Sequence, residues 1–235
     1  NYLAQGVTTV LIGNDGDGRP EVAALMDRAE RRGVGVNVAA YVGFGAVRKA
    51  VVGDAARAPT ADELGRMKAL VARAMCEGAI GFSTGLYYSP QSFSKTEEVI
   101  ALAREAGTRG GIYDSHLRDE GSDNVGLLAA VEEALRIGRE ADMPVHFAHI
   151  KALGVDVHGK APTVIARIEA EIAGGREVTA DQYPWLASGT HLGNALVPIW
   201  AKDGGRSAQN ARLADPALRD RLVVEMSDNL RRRGG

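Results

Sequence analysis

Two short apolar runs, each stopping on a histidine, constrain this chain more than any other feature in it. The first is Gly110-Gly111-Ile112-Tyr113-Asp114-Ser115-His116, continuing as Leu117-Arg118-Asp119-Glu120; the second is Pro144-Val145-His146-Phe147-Ala148-His149, followed by Ile150-Lys151. Between them, Val125 to Ala141 places apolar residues every three or four positions, the period of a helix packed on one face. Strand, helix, strand in that order makes the two strands parallel neighbours whose carboxyl ends open into one mouth. His116 and His149 are predicted to meet there. Neutral imidazoles held on rigid strands suit a borderline metal, as in many catalytic zinc sites; the plain alternative is two polar residues at loop starts.

Side-chain alternation sharpens the reading. Residues 145, 147 and 149 share one face of an ideal strand, so with His149 in the mouth His146 faces the helix layer and is structural. By the same parity Asp114 lies beneath His116, about 6 to 7 Å deeper, where a carboxylate orients a liganding imidazole rather than ligating itself.

The remainder of the chain repeats the alternation. Strands are predicted at Gly6 to Gly13, Val34 to Ala40, Ala79 to Ser83 and Glu177 to Asp181. Helices are predicted from Glu21 to Arg32 with Pro20 before it and Gly33 after it, around Val47 to Val52, from Asp62 to Glu77 behind the capping box Thr60-Ala61-Asp62-Glu63, from Ser94-Lys95-Thr96-Glu97 to about Arg109, and from Ala161 to Ala173. Gln182 to Arg212 is irregular, and one helix follows Asp215-Pro216. Six strands alternating with helices define an α/β fold with a parallel sheet, either doubly wound or an incomplete eight-stranded barrel. Polar residues end the strands at Asn14, Ser83, His116, His149 and Asp181, over most of the chain, and this spread favours the barrel. A barrel portion at 1–184 and the start of an irregular, helical insertion at 185–235 are expected.

Composition narrows the partners. With 28 Lys and Arg against 30 Asp and Glu, and only Arg231-Arg232-Arg233 as a basic run, the chain has little to attract nucleic acid or an anionic membrane. No apolar stretch reaches a membrane span, and with no targeting signal visible the cytoplasm is the default compartment. Oligomeric state is not legible. The single cysteine, Cys76, forms no internal disulfide and reads as a small core hydrophobe. Gly43-Phe44-Gly45-Ala46-Val47-Arg48 has two glycines of a dinucleotide fingerprint but Arg48 where the third belongs, so nucleotide binding is not supported.

Gly6-Val7-Thr8-Thr9-Val10, Gly13-Asn14, Gly78-Ala79-Ile80-Gly81-Phe82-Ser83-Thr84-Gly85-Leu86, Ser115-His116-Leu117-Arg118-Asp119-Glu120, His149-Ile150-Lys151 and Asp181-Gln182-Tyr183-Pro184 together resemble the N-acyl-D-amino-acid deacylases of the amidohydrolase superfamily. The resemblance implies a (β/α)8 barrel of amidohydrolase type, here lacking its first and eighth strands. It implies one or two zinc ions, and hydrolysis of the amide of a small-molecule N-acyl-D-amino acid to a carboxylate and the free D-amino acid. His116 and His149 match the family's metal ligands, Lys151 and Tyr183 match residues that hold the substrate α-carboxylate, and Tyr87 matches a pocket residue.

Three departures accompany the match. The family has cysteine after Gly-Asn, where this chain has Asp15; a carboxylate there either ligates zinc as a harder donor or only forms the turn. The family's His-x-His lies before Asn1, and its proton-accepting aspartate lies after Gly235. The expectation is therefore a portion of a longer enzyme, inactive alone. Rival readings are another amide or cyclic-amide hydrolase on the same barrel, disfavoured because Ser83 stands where such enzymes often carry a carboxylated lysine, and a non-catalytic barrel.

Overall fold

The computed structural model describes residues 1–235. Six parallel strands succeed one another across a single sheet in sequence order: β1 (Thr9–Ile12), β2 (Asn37–Gly43), β3 (Gly81–Gly85), β4 (Ile112–His116), β5 (Val145–Phe147) and β6 (Val178–Ala180). A doubly wound sheet reverses its strand order at a switch point; this order never reverses, which leaves the barrel. Neighbours are also staggered. β2 pairs with β1 through Asn37 to Ala40 and with β3 through Tyr41 to Gly43, the progressive offset that a closing barrel requires. The sheet is accordingly an incomplete (β/α)8 barrel.

The helices between strands are α1 (Val22–Arg32), α2 (Phe44–Val51), α3 (Ala61–Cys76), α4 (Thr96–Gly107), α5 (Leu127–Ala141) and α6 (Ala161–Ala173). What fixes them on the sheet is one row of paired residues running across five strands: Val42, Phe82, Tyr113, Val145 and Val178. All five belong to the main buried core with the inner faces of the helices. Each fully buried side chain of this kind stabilises the fold by about 1.5–3 kcal/mol relative to exposure. Phe44 meets the Phe82 ring edge-on at 6.1 Å, and Phe82 stacks on Tyr113 at 6.4 Å. The next residue along each strand points into the barrel instead, giving the row Gly43, Ser83, Asp114, His146 and Thr179.

That second row corrects the parity argument for His146. Val145 and Phe147 are the core-facing pair on β5, so His146 faces the barrel interior, where its ring nitrogens meet Thr179 Oγ1 at 2.8 Å and Asp181 Oδ2 at 3.2 Å. The alternation failed because His149 lies beyond the end of β5, in a turn with φ of 37°, outside the pleat that the argument assumed.

Other expectations hold or shift locally. Thr60 and Glu63 form the capping box of α3, and Gly33, with φ of 68°, closes α1. β2 begins three residues later than expected and runs on to Gly43, directly into α2. Ser94 does not cap α4; its hydroxyl donates to Gln91 O at 2.7 Å and Lys95 takes the cap position. Cys76 is exposed rather than in the core, because the buried stripe of α3 is Met67, Val71, Ala74 and Met75 and residue 76 lies one step around the helix from it. Arg48, which broke the nucleotide fingerprint, is fully buried, donating to Glu98 at 3.0 Å and to Arg57 O at 2.6 Å.

After β6 the chain is more helical than its composition suggested. α7 (Leu192–Leu196) and α8 (Gly205–Ala214) occupy the stretch read as irregular, and α9 (Arg219–Arg232) ends the chain. Val197, Ala201 and Leu222 form a small core of their own there.

Candidate metal centre

Three side chains converge at the carboxyl ends of the strands. His116 is the last residue of β4, placed on the interior side by the same alternation that buries Tyr113 on the other. His149 is carried inward by its left-handed turn, and Asp181, just past β6, accepts its backbone N–H through Oδ1. Asp15 comes from the turn after β1, also with positive φ, at 57°, which aspartate tolerates better than most residues.

The Asp15 turn is clamped from β3 and beyond. Ser83 Oγ donates to Gly13 O at 2.5 Å and accepts the Gly16 N–H at 3.2 Å. Buried Gln91 donates to Asp15 O at 2.8 Å and accepts the Gly85 N–H at 2.7 Å. Gly16 is required for this contact, since a Cβ there would sit 2.1 Å from Gln91 Oε1. The Gly13-Asn14-Asp15-Gly16 sequence is thus a rigid mount as well as a turn.

His116 Nδ1 and His149 Nε2 are 2.8 Å apart, and Asp15 Oδ1 lies 3.5 Å from the first and 3.7 Å from the second. These edges bracket the separation of about 3.3 Å between tetrahedral ligands with bonds of about 2.0–2.1 Å. Asp15 Oδ1 is buried with no hydrogen-bond partner. A buried carboxylate oxygen left bare costs stability unless something else satisfies it, and one oxygen with two ring nitrogens is a donor set suited to zinc. The residues fit the ion. Burial pushes the Asp15 carboxyl up, but the two imidazoles beside it prevail and hold it well below the usual carboxylate range. Burial lowers His149 in turn, yet Asp15 and Glu120 raise it to about 9.

Glu120 is the residue that sequence reasoning did not single out. Its Oε1 lies 3.2 Å from His149 Nδ1 and also takes the Lys151 ammonium, and it is buried. A carboxylate behind the far nitrogen of a liganding imidazole fixes ring orientation and tautomer. The signal was present four residues after His116, at the end of the Ser115-to-Glu120 motif. Asp114, expected to serve this purpose for His116, makes no hydrogen bond to that ring; its Oδ2 is buried without a partner, and burial raises its pKa to about 6.

A cavity of about 470 Å³ opens over the three residues, with Lys151, Tyr183 and Tyr87 on its wall. Lys151 is not free there: besides Glu120 it contacts His149 O at 2.7 Å and His149 Nδ1 at 2.8 Å, and its ammonium lies 5.6 Å from the Tyr183 ring centre. The Tyr87 ring is 6.0 Å from His116, while its hydroxyl donates to Asn194 O at 2.7 Å and accepts from Arg233 at 2.6 Å. Tyr88, not foreseen, is nearer to His116, at 4.7 Å between ring centres.

The fold and site together define an incomplete parallel barrel with a cluster able to hold a metal ion, and a cation beside it, at its carboxyl-end mouth. No protein-family model matches the chain. Individual proteins do: it is 38% identical over 213 residues to a D-aminoacylase of Alcaligenes xylosoxydans xylosoxydans, covering 81% of the chain and 43% of that protein. It is 34% identical over 211 residues to the N-acyl-D-glutamate deacylase of the same organism, covering 80% and 43%. The crystal structure of an N-acyl-D-glutamate deacylase from Bordetella bronchiseptica, complexed with zinc and a phosphonate inhibitor, superposes with a TM-score of 0.76 at 29% identity, over 99% of this chain and 54% of that one. Over about four fifths of its own length the chain is thus similar to the N-acyl-D-amino-acid deacylases. It spans under half the length of the curated relatives it matches.

Proposed function

We propose that the protein hydrolyses the amide bond of N-acyl-D-amino acids, with Asp15, His116 and His149 holding zinc. The observation that carries this reading is the bare, buried Asp15 Oδ1 facing two ring nitrogens beneath a cavity that also holds a lysine. When bound, zinc supplies Lewis acidity for the carbonyl and lowers the pKa of water towards neutrality, both of which amide hydrolysis needs.

The chain's own residues do the rest of the holding. Glu120 keeps the His149 ring turned so that Nε2 faces His116. Lys151 and Tyr183 take the substrate's α-carboxylate: the ammonium keeps Glu120 and His149 O, and the carboxylate replaces its contact with His149 Nδ1. Tyr87, with its hydroxyl committed elsewhere, offers its ring as wall.

The test is release of free amino acid from N-acetyl-D- and N-acetyl-L-amino acids by the protein at its natural length, supplied with zinc. D-selective turnover, lost together with bound zinc in His116→Ala and His149→Ala, is expected. A folded, zinc-loaded protein that turns over none of these amides would sink the assignment.

A further inference from the structure

His116 and His149 reach the same point by different means. His116 is the last residue of a regular strand, so the pleat aims it. His149 lies beyond the end of β5, in the left-handed region at φ of 37°, a conformation that a residue with a Cβ keeps only where its surroundings hold it. Resting on the reading that His149 ligates zinc, we propose that Asp181 is a positioning residue of the metal centre: its side chain, by accepting the His149 N–H, holds the turn that points the His149 ring at His116 and Asp15.

Asp181 brackets this turn. Its own N–H donates to Phe147 O at 3.1 Å, and its carbonyl accepts the Ile150 N–H at 2.9 Å. Between those two backbone bonds, Oδ1 accepts the N–H of His149. Oδ2 meets His146 Nε2 at 3.2 Å, and the other nitrogen of that ring meets Thr179 Oγ1 at 2.8 Å. One oxygen of the carboxylate is thus on the turn that carries the ligand, and the other is on the strand leading into it. From the opposite side the Ala148 N–H donates to Ser115 O at 3.1 Å, so the turn is tied to β4 on one flank and to the end of β6 on the other.

The N–H groups of Ala148 and Ile150 go to backbone carbonyls, whereas that of His149 goes to a side chain and is the one a substitution can release. Glu120 meets the same residue at ring Nδ1 and restrains rotation of the side chain; it does not set where the backbone places Cβ. The two carboxylates therefore divide the task. Asp181 is itself exposed and is seated by its backbone bonds rather than by packing, so exchanging its side chain removes the contact to His149 while β6 keeps its register.

The experiment measures zinc affinity by chelator competition, and the visible absorption of the cobalt-substituted protein, in natural-length Asp181→Ala, Asp181→Asn and Asp181→Glu, with His149→Ala as control. Asparagine keeps an acceptor oxygen in place and loses the charge; glutamate keeps the charge and moves the oxygen by a methylene. Zinc affinity is expected to fall by about 10–100-fold in Asp181→Ala and Asp181→Glu, as when other groups that orient a liganding imidazole are lost, and to stay near the parent in Asp181→Asn. The cobalt spectrum should change in the first two and match the parent in the third, whereas a residue that only stabilised the fold would leave that spectrum unaltered. Parental affinity and spectrum in folded Asp181→Ala or Asp181→Glu overturn the inference. So does a loss in Asp181→Asn equal to that in Asp181→Glu, which would make charge rather than the hydrogen bond the cause. Should Asp181→Ala fail to fold, the asparagine and glutamate variants decide alone. Zinc retained by His149→Ala removes the reading of His149 as a ligand and this inference with it, whereas zinc lost there but kept in Asp181→Glu removes this inference alone.

Discussion

Glu120 stands 3.2 Å behind His149 Nδ1, while the opposite nitrogen of the same ring stands 2.8 Å from His116. The imidazole is thus held between a buried carboxylate and the cluster it completes. Glu120→Gln keeps the size of the side chain and removes its charge, and zinc affinity is expected to fall by about 10–100-fold, as when other outer carboxylates are lost. Competition with a chromogenic chelator measures this. Unchanged affinity in a variant with an unaltered circular dichroism spectrum would remove the orienting role.

Asp15 separates a ligand from a turn former. Asp15→Ala should weaken zinc binding by more than the Glu120 variant does, whereas His146→Ala, at the interior position paired with Thr179 and Asp181, should leave zinc content near that of the unmodified protein. Asp15→Cys should retain zinc and move metal preference towards softer ions. Metal analysis after gel filtration reads all three, and full zinc content in Asp15→Ala would reduce Asp15 to a turn residue.

Gln91 tests the mount beneath Asp15. Gln91→Ala deletes two hydrogen bonds at a buried position and leaves the Gly85 N–H without its acceptor. Stability is expected to drop by about 2–3 kcal/mol, measured by urea denaturation. Zinc affinity should fall with it because the positive-φ turn loses its clamp.

Lys202 gives a pH dependence with a definite sign. Burial, reinforced by the neighbouring Arg233, lowers its pKa from 10.5 to about 8, against a smaller opposing pull from Asp123. Between those values the unfolded chain holds the proton that the folded protein has released, so this group's contribution to stability rises with pH across that window and is least favourable below pH 8. Lys202→Met removes the penalty. It should be more stable than the parent at pH 7, on the order of 2 kcal/mol, with the difference shrinking towards pH 10.5. A difference that does not change with pH would contradict this account.

The buried Arg48–Glu98 pair should be costly to break on one side only. Glu98→Ala leaves a fully buried guanidinium without its carboxylate, and a loss of about 3–5 kcal/mol is expected in thermal or denaturant unfolding. Replacing both residues with apolar ones should cost much less.

The strands and most helices were legible because their signals are local: alternation along Ile112 to His116, the Thr60-to-Glu63 capping box, and Gly33 closing α1. His116 and His149 were legible as partners because a strand, helix, strand unit leaves little choice about where its ends meet. The exceptions have physical causes. His146 was assigned the wrong face because the pleat ends at Phe147 and His149 is aimed by its backbone dihedral, which no periodicity encodes. Glu120 escaped notice because its role depends on Lys151 and His149, both contributed by the next unit of the barrel. The commitment of Lys151 to Glu120, and of Arg233 to Asp123 and Tyr87, depends on tertiary contacts that a linear pattern does not contain.

The long reach of Arg233 has a consequence for how the molecule assembles. Each strand pairs with its neighbour in sequence, so the sheet closes loops one unit at a time, whereas the bond from Arg233 to Tyr87 spans 146 positions. Short loops close at lower entropic cost than long ones. The scaffold carrying the two histidines is therefore expected to gain order before the Tyr87–Arg233 wall of the cavity, and a refolding chain should bind zinc before it binds a substrate analogue. Stopped-flow refolding with a zinc-sensitive dye and a fluorescent N-acyl ligand would resolve the two events, and simultaneous arrival would mean that the last helix docks with the barrel rather than after it.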